Sequence, residues 1–179
     1  MRLLLLAFSI VSIIFGILVW HYIEDEILPT LPSQSEIEDI QMQTPLRVLA
    51  RDGSLIAEFG EKRRKPLHYE EIPEAMIQAI VSAEDERYFE HPGIDANGII
   101  RAALQYISSG EKRQGGSTIT MQMARNFFLT REKSWLRKIK ELFLALRIEE
   151  TYSKEEILTL YLNKVFLGHR AYGIAAAFQ

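Results

Sequence analysis

Glu84 stands where an apolar stripe meets a cluster of charge. In AIVSAEDERYFEHPG, Ala79 to Gly93, and just ahead of it, the residues Ile77, Ile80, Val81, Glu84 and Tyr88 follow the i, i+3, i+4, i+7, i+11 spacing of one helical face. A carboxylate that continues such a stripe is expected to be partly desolvated. It also faces the unfavourable C-terminal end of the helix dipole, and both effects raise its proton affinity towards that of a general base. The same pattern fits a solvated acid at a fraying helix end, with Asp85 and Glu86 pointing outward beside it. His91, next to Pro92, reads as a satisfied structural histidine rather than a ligand.

Two further stretches could bind an anion. In QGGSTITMQMARN, Gln114 to Asn126, two glycines precede Ser117 and Thr118, either of which can cap a helix carrying Ile119, Met123 and Phe127. Free amides at such a start attract anions, although ordinary helices also begin this way. The stretch lacks the lysine and spacing of a nucleotide loop, so no nucleotide is implied. In SWLRKIKELFLALRIEE, Trp135, Ile139, Leu142, Phe143 and Leu146 are expected to form a core stripe, with Arg137, Lys138 and Glu141 sharing another face. A surface ion pair would explain that trio by itself. Between Arg101 and Arg147, however, ten basic residues stand against three acids in a chain of net charge -3, which points to an anionic ligand.

The elements that position these residues are mostly helical. Segments are expected near 73–89, 95–108, 118–129, 134–150, 153–163 and 170–178, with start signals at Pro73, Ser134 and the Ser153–Glu156 capping box. The 95–108 segment, with Ile99, Ile100, Ala103, Leu104 and Ile107, is read first as ordinary core packing and second as a helix that dips into a membrane interface. In KEEILTLYLNKVFLGHRAYGIAAA, Ile157, Leu158, Tyr161 and Leu162 pack inward as scaffold, with Asn163 the polar contact at the end. Before the helices, LRVLARDGSLIAEFG alternates around Asp52-Gly53, which predicts a hairpin with one face covered. Leu3 to Trp20 is an uncharged run spanning about 27 Å as a helix, close to the roughly 30 Å of a bilayer core. No small-residue cleavage site follows, so it reads as an uncleaved anchor. Arg2 before it and Glu24, Asp25 and Glu26 after it place the remainder outside the cytoplasm, where nucleic acid is not an expected partner. Cysteine is absent, which excludes disulfides, zinc-thiolate sites and a thiol nucleophile. The expected organisation is an anchor (1–22), a stalk (23–44), a hairpin lead-in (45–68) and a mainly α domain (69–179).

Taken in order, EDERYFEHPG, GGSTITMQMARN, RKIKE, KEEILTLYLN and GHRAYGIAAA resemble the five motifs of the peptidoglycan glycosyltransferase domain (family 51) of class A penicillin-binding proteins, most closely the 1a type. Tyr88 and Met121 depart from the usual phenylalanine and glutamine but keep the shape. The resemblance implies a lysozyme-like helical fold with a membrane-dipping lobe, and polymerisation of lipid II with release of undecaprenyl pyrophosphate. It assigns Glu84 as general base, supported by Asp85 and Arg87. Ser117, Thr118 and Gln122 would shape the donor cleft, and Arg125, Arg137 and Lys138 would neutralise the leaving group. Glu141 would position the pyrophosphate, with a divalent cation (Mg or Mn) there as an option, and Asn163 joins the substrate-binding set. Implied partners are lipid II, the growing glycan chain, the inner membrane crossed once with a cytoplasmic N-terminus and a periplasmic domain, and other cell wall synthesis proteins. The family domain continues past this sequence, so 69–179 is expected to be C-terminally incomplete. Two alternatives stay open, a lytic transglycosylase or lysozyme-like hydrolase, and a non-catalytic chain that binds lipid II.

Overall fold

The computed structural model describes residues 2–40, 46–59, 66–110, 115–130, 134–165 and 173. Helix α1 (Arg2–Tyr22) leads through a π turn (Ile23–Ile27) and a 3-10 turn (Leu28–Thr30) to α2 (Gln34–Glu38). Strands β1 (Leu46–Leu49) and β2 (Leu55–Phe59) form an antiparallel hairpin. A 3-10 turn (Tyr69–Glu71) then precedes α3 (Glu74–Glu84), α4 (Ala96–Ser109), α5 (Ile119–Phe128), α6 (Trp135–Thr151) and α7 (Lys154–Lys164). The fold is mainly helical, as expected. The helix read near 170–178 lies outside the described residues.

Local chemistry explains the helix starts. Thr118, Ser134 and Ser153 each accept the amide of the residue three positions on, and Glu156 completes the capping box on Ser153. α5 lies against both α6 and α7, and their apolar faces make the core: Ile119, Met123, Ala124, Leu144, Ile148, Ile157, Leu158, Tyr161 and Leu162 are all buried. Ile77, Ile80 and Val81 of α3 pack on this core from one side.

Several expectations need correction. The segment read as a stalk is docked: Leu31 and Ile37 enter the main core and Ile27 is buried too. Arg147 donates to the Pro32 carbonyl (3.0 Å), Gln34 to Thr151 Oγ1 (2.8 Å) and Tyr152 to the Ile37 carbonyl (2.8 Å). Three widely spaced apolar residues suffice to seat a short segment whose intervening residues are polar. The buried stripe of α6 is Glu141, Leu144, Ala145 and Ile148, one face over from the expected stripe, and Trp135 is 88% exposed. The core-packing reading of α4 also fails, since Ile100, Leu104 and Ile107 are exposed, Ile107 at 79%. In the hairpin, Asp52 Oδ1 accepts from the Ser54 amide (3.0 Å) and Gly53 adopts φ +84°, giving the expected turn. The covered face expected of the hairpin is not seen among its described large apolar side chains, since Leu46, Val48, Leu49, Leu55 and Ile56 are all exposed.

Candidate active site

α3 stops at Glu84, so Tyr88 lies beyond the helix and the continuous face expected through it does not exist. Asp85 leaves the helical region (φ -160°, ψ 74°) and turns inward, where it is 8% exposed. Its carboxylate contacts His91 Nε2 at 3.0 and 3.1 Å and accepts the Ile119 amide at 3.0 Å. The outward placement of Asp85 is therefore overturned, while His91 is buried and structural as expected but only half satisfied, since its Nδ1 has no hydrogen-bond partner among the described residues. An acid at the start of α5 also complements that helix's dipole. Gly93 completes the loop with φ +86°; a Cβ there would lie 2.8 Å from Glu149 Cγ and 2.9 Å from the Ala145 carbonyl. Only glycine lets this loop lie flush on α6.

At the last position of α3, Glu84 projects into a cleft of about 300 Å³ between the 82–87 segment, the start of α4 and the glycine-rich entry to α5. It is exposed, contrary to the partial burial expected, because its side chain faces the open cleft. Gln122 Nε2 donates to Glu84 Oε2 at 2.9 Å, and Tyr161 Oη donates to Gln122 Oε1 at 3.3 Å. The Tyr161 hydroxyl is pushed up to about 12 by burial first and then by the Glu84 charge.

The cleft carries Arg87, Arg101 and Arg125 alongside Glu84, Asp85, Glu86 and Asp95. Arg87 pairs closely with Asp95, whose Oδ1 also accepts the Gly98 amide at 2.9 Å and so caps α4. The Arg87 hydrogen bond, opposed by desolvation and aided by the Gly98 amide, holds the Asp95 carboxyl below its ordinary value of 3.8. A depressed carboxyl contributes stability that is complete above its unfolded value and is lost as pH falls through its folded value. Between about pH 5 and about pH 3, Asp95→Asn should therefore lose less of its stability than the parent, as measured by urea midpoints. Parallel losses in the two proteins would remove this role.

Two of the amides at the start of α5, which the glycine-serine pattern offered to an external anion, are taken within the protein. Asp85 takes that of Ile119, and Thr118 Oγ1 takes that of Met121 at 3.1 Å while donating to the Gly93 carbonyl at 2.6 Å. Positive charge is instead presented by side chains. Glu141 is wholly buried, accepting from Arg137 Nη1 at 2.7 Å and Lys138 Nζ at 2.9 Å, which excludes the surface-pair explanation. Lys138 also contacts Ser117 Oγ on the cleft wall. With both Glu141 oxygens engaged and no cluster of three or more metal-ligating side chains among the described residues, the donor set does not fit a divalent cation.

The family model described as Transglycosylase matches residues 52–179. The chain belongs to the transglycosylase family. It is 51% identical over 179 residues to penicillin-binding protein 1A of Vibrio cholerae, covering 98% of this chain and 21% of that relative. It is 50% identical over 166 residues to penicillin-binding protein 1A of Escherichia coli (93% and 19%), and 52% identical over 151 residues to that of Pseudomonas aeruginosa (84% and 18%). The chain thus spans about one fifth of the length of these relatives.

Within this transglycosylase cleft the structure gathers Glu84, Asp85, Arg87, Ser117, Thr118, Gln122 and Arg125 from the expected set. Arg137, Lys138 and Glu141 form the triad behind Ser117. Asn163 stands elsewhere: its Oδ1 accepts the Leu67 amide (2.9 Å) and its Nδ2 donates to the Leu67 carbonyl (2.8 Å), clipping the lead-in to α7. Asp95 and Arg101 were not singled out as site residues. Asp95 had a usable signal in Asp-x-x-Gly, a helix cap placed one turn from the charge cluster.

Proposed function

We propose that this chain polymerises lipid II into glycan strands for cell wall synthesis. The growing chain is donor and undecaprenyl pyrophosphate is the leaving group. The observation that carries the reading is one cleft with an accessible carboxylate, Glu84, on one wall and arginines on the others. Glu84 accepts the proton of the incoming 4-hydroxyl as its oxygen bonds to the donor C1. The C1–O bond to pyrophosphate breaks, and that bond's electron pair leaves with the phosphate. Arg125, Arg87 and the Lys138 ammonium at Ser117 compensate the charge that develops there. Glu141 acts by holding Lys138 and Arg137, and no step is assigned to a metal ion.

α1 is long and apolar enough to cross a membrane, and its described side chains are exposed on every side. In the proposed topology it crosses the inner membrane once, with the catalytic domain on the periplasmic side. Ile100, Leu104 and Ile107 then rest in the interface beside the cleft.

One reconstitution tests the reading. In vesicles containing lipid II, the protein should yield glycan polymer and free undecaprenyl pyrophosphate. Protease added on the side of the lipid II headgroups should remove everything after α1. Fragment release from finished wall without consumption of lipid II would favour the hydrolase, and lipid II binding without turnover the non-catalytic chain.

A further inference from the structure

Glu84 is held by a neutral carboxamide that can point either way, and its orientation decides whether the base meets a donor or an acceptor. An ionised carboxylate only accepts hydrogen bonds, whereas Gln122 has a donating and an accepting end. The hydroxyl of Tyr161, on α7 and itself only 2% exposed, donates to the Oε1 end, which leaves the Nε2 end for Glu84. We propose that Tyr161 is a positioning residue for the glycosyl transfer, its hydroxyl fixing the Gln122 carboxamide so that an N–H always faces Glu84.

The chain of polarity runs one way, from Tyr161 O–H to the Gln122 carbonyl and from the Gln122 N–H to the carboxylate. Tyr161 can serve because it stays a donor: burial keeps its proton on throughout the neutral range. The stretch that holds it otherwise reads as scaffold, since Ile157, Leu158 and Leu162 are all core. The other charged groups facing Glu84 are Glu86 and Arg87 from its own loop and Asp95 ahead of α4. Arg101 on α4 and Arg125 on α5 complete the set, with Asp85 turned inward behind it. From α6, Lys138 reaches the cleft only at Ser117. Among the described residues Tyr161 is the hydrogen-bond donor to the Gln122 carbonyl, so its hydroxyl is the group that decides its direction.

This rests on the reading of Glu84 as the base. In Tyr161→Phe the ring still fills the core but the carboxamide can rotate, turning its oxygen towards Glu84 and disfavouring the ionised carboxylate. The acid limb of the kcat profile for lipid II polymerisation should move up by roughly half a pH unit or more, so that kcat below it falls about threefold or more. KM should stay within about twofold, since packing at the cleft is kept. In a Gln122→Leu background, Tyr161→Phe should produce no further shift, because the hydroxyl acts only through the amide. An unmoved acid limb, or a full shift that persists in the Gln122→Leu background, overturns the proposal. If the parent does not polymerise lipid II, the reading of the function fails but the positioning claim is still decided by NMR in detergent. The Gln122 side-chain N–H signals should be slowed in exchange in the parent and lose that protection in Tyr161→Phe. Equal exchange in both proteins overturns it.

Discussion

Glu84→Gln should slow glycan polymerisation by about 10²- to 10⁴-fold while leaving lipid II affinity nearly unchanged. The substitution is close to isosteric, and Gln122 Nε2, now 2.9 Å from Glu84 Oε2, can donate to the new amide oxygen as it did to the carboxylate. The cleft keeps its shape. What disappears is the ability to accept a proton from the attacking hydroxyl, an interaction made only as the transition state forms, so the loss belongs in kcat. Stability should change little, because Glu84 is exposed and ends its helix. The measurement is polymer yield against time with labelled lipid II, beside equilibrium binding of the same substrate. Equal rates in the two proteins would show that the hydroxyl is deprotonated elsewhere, and Glu84 would lose its role. A tenfold weaker binding with unchanged turnover would instead make it a substrate contact.

What could be read from residues alone divides along a physical line. The helix starts at Ser134 and Ser153 were legible because a cap is a contact between near neighbours in sequence, and the core faces of α5 and α7 because their stripes are mostly apolar, with Thr120 and Asn163 the buried exceptions. α6 was misread by one face because its buried stripe begins with a charged residue, Glu141, which any count of apolar positions assigns to solvent. Asp85 was equally opaque: it spends its carboxylate on an amide 34 positions away, at Ile119, and no local pattern shows a cap supplied from another element. The docked segment before β1 was missed because Ile27, Leu31 and Ile37 are too few and too irregularly spaced to make a periodic signal. The cleft itself was half legible. Its acid and its glycine-rich wall stood out by type and Gln122 only through the family resemblance, but Tyr161 looked like scaffold until its hydroxyl was seen against Gln122.

The largest effect on the fold is expected at Glu141. Its side chain is 1% exposed, and it is the shared partner of Arg137 and Lys138, themselves 18% and 33% exposed. Removing one member of a buried ion pair leaves the others desolvated without compensation, which costs about 3–5 kcal/mol. Arg137 is badly placed to absorb this, since its Nε already lacks a partner. Glu141→Leu should therefore lower the melting temperature by roughly 6 to 20 °C. Polymerisation should fall with it, because the Lys138 ammonium is no longer held towards Ser117 at the cleft wall. A stability loss alone would not distinguish a brace from a charge relay, so the deciding protein is the apolar triple variant, Glu141→Leu with Arg137→Leu and Lys138→Met. Replacing a whole buried ionic cluster by apolar groups of similar volume is often neutral or stabilising, so most of the lost melting temperature should return. Activity should not return, since the cluster's second task is to present positive charge where the pyrophosphate departs, and no leucine can do that. Recovery of both stability and polymerisation in the triple variant would reduce the triad to packing and move the burden of the leaving group onto Arg87, Arg101 and Arg125.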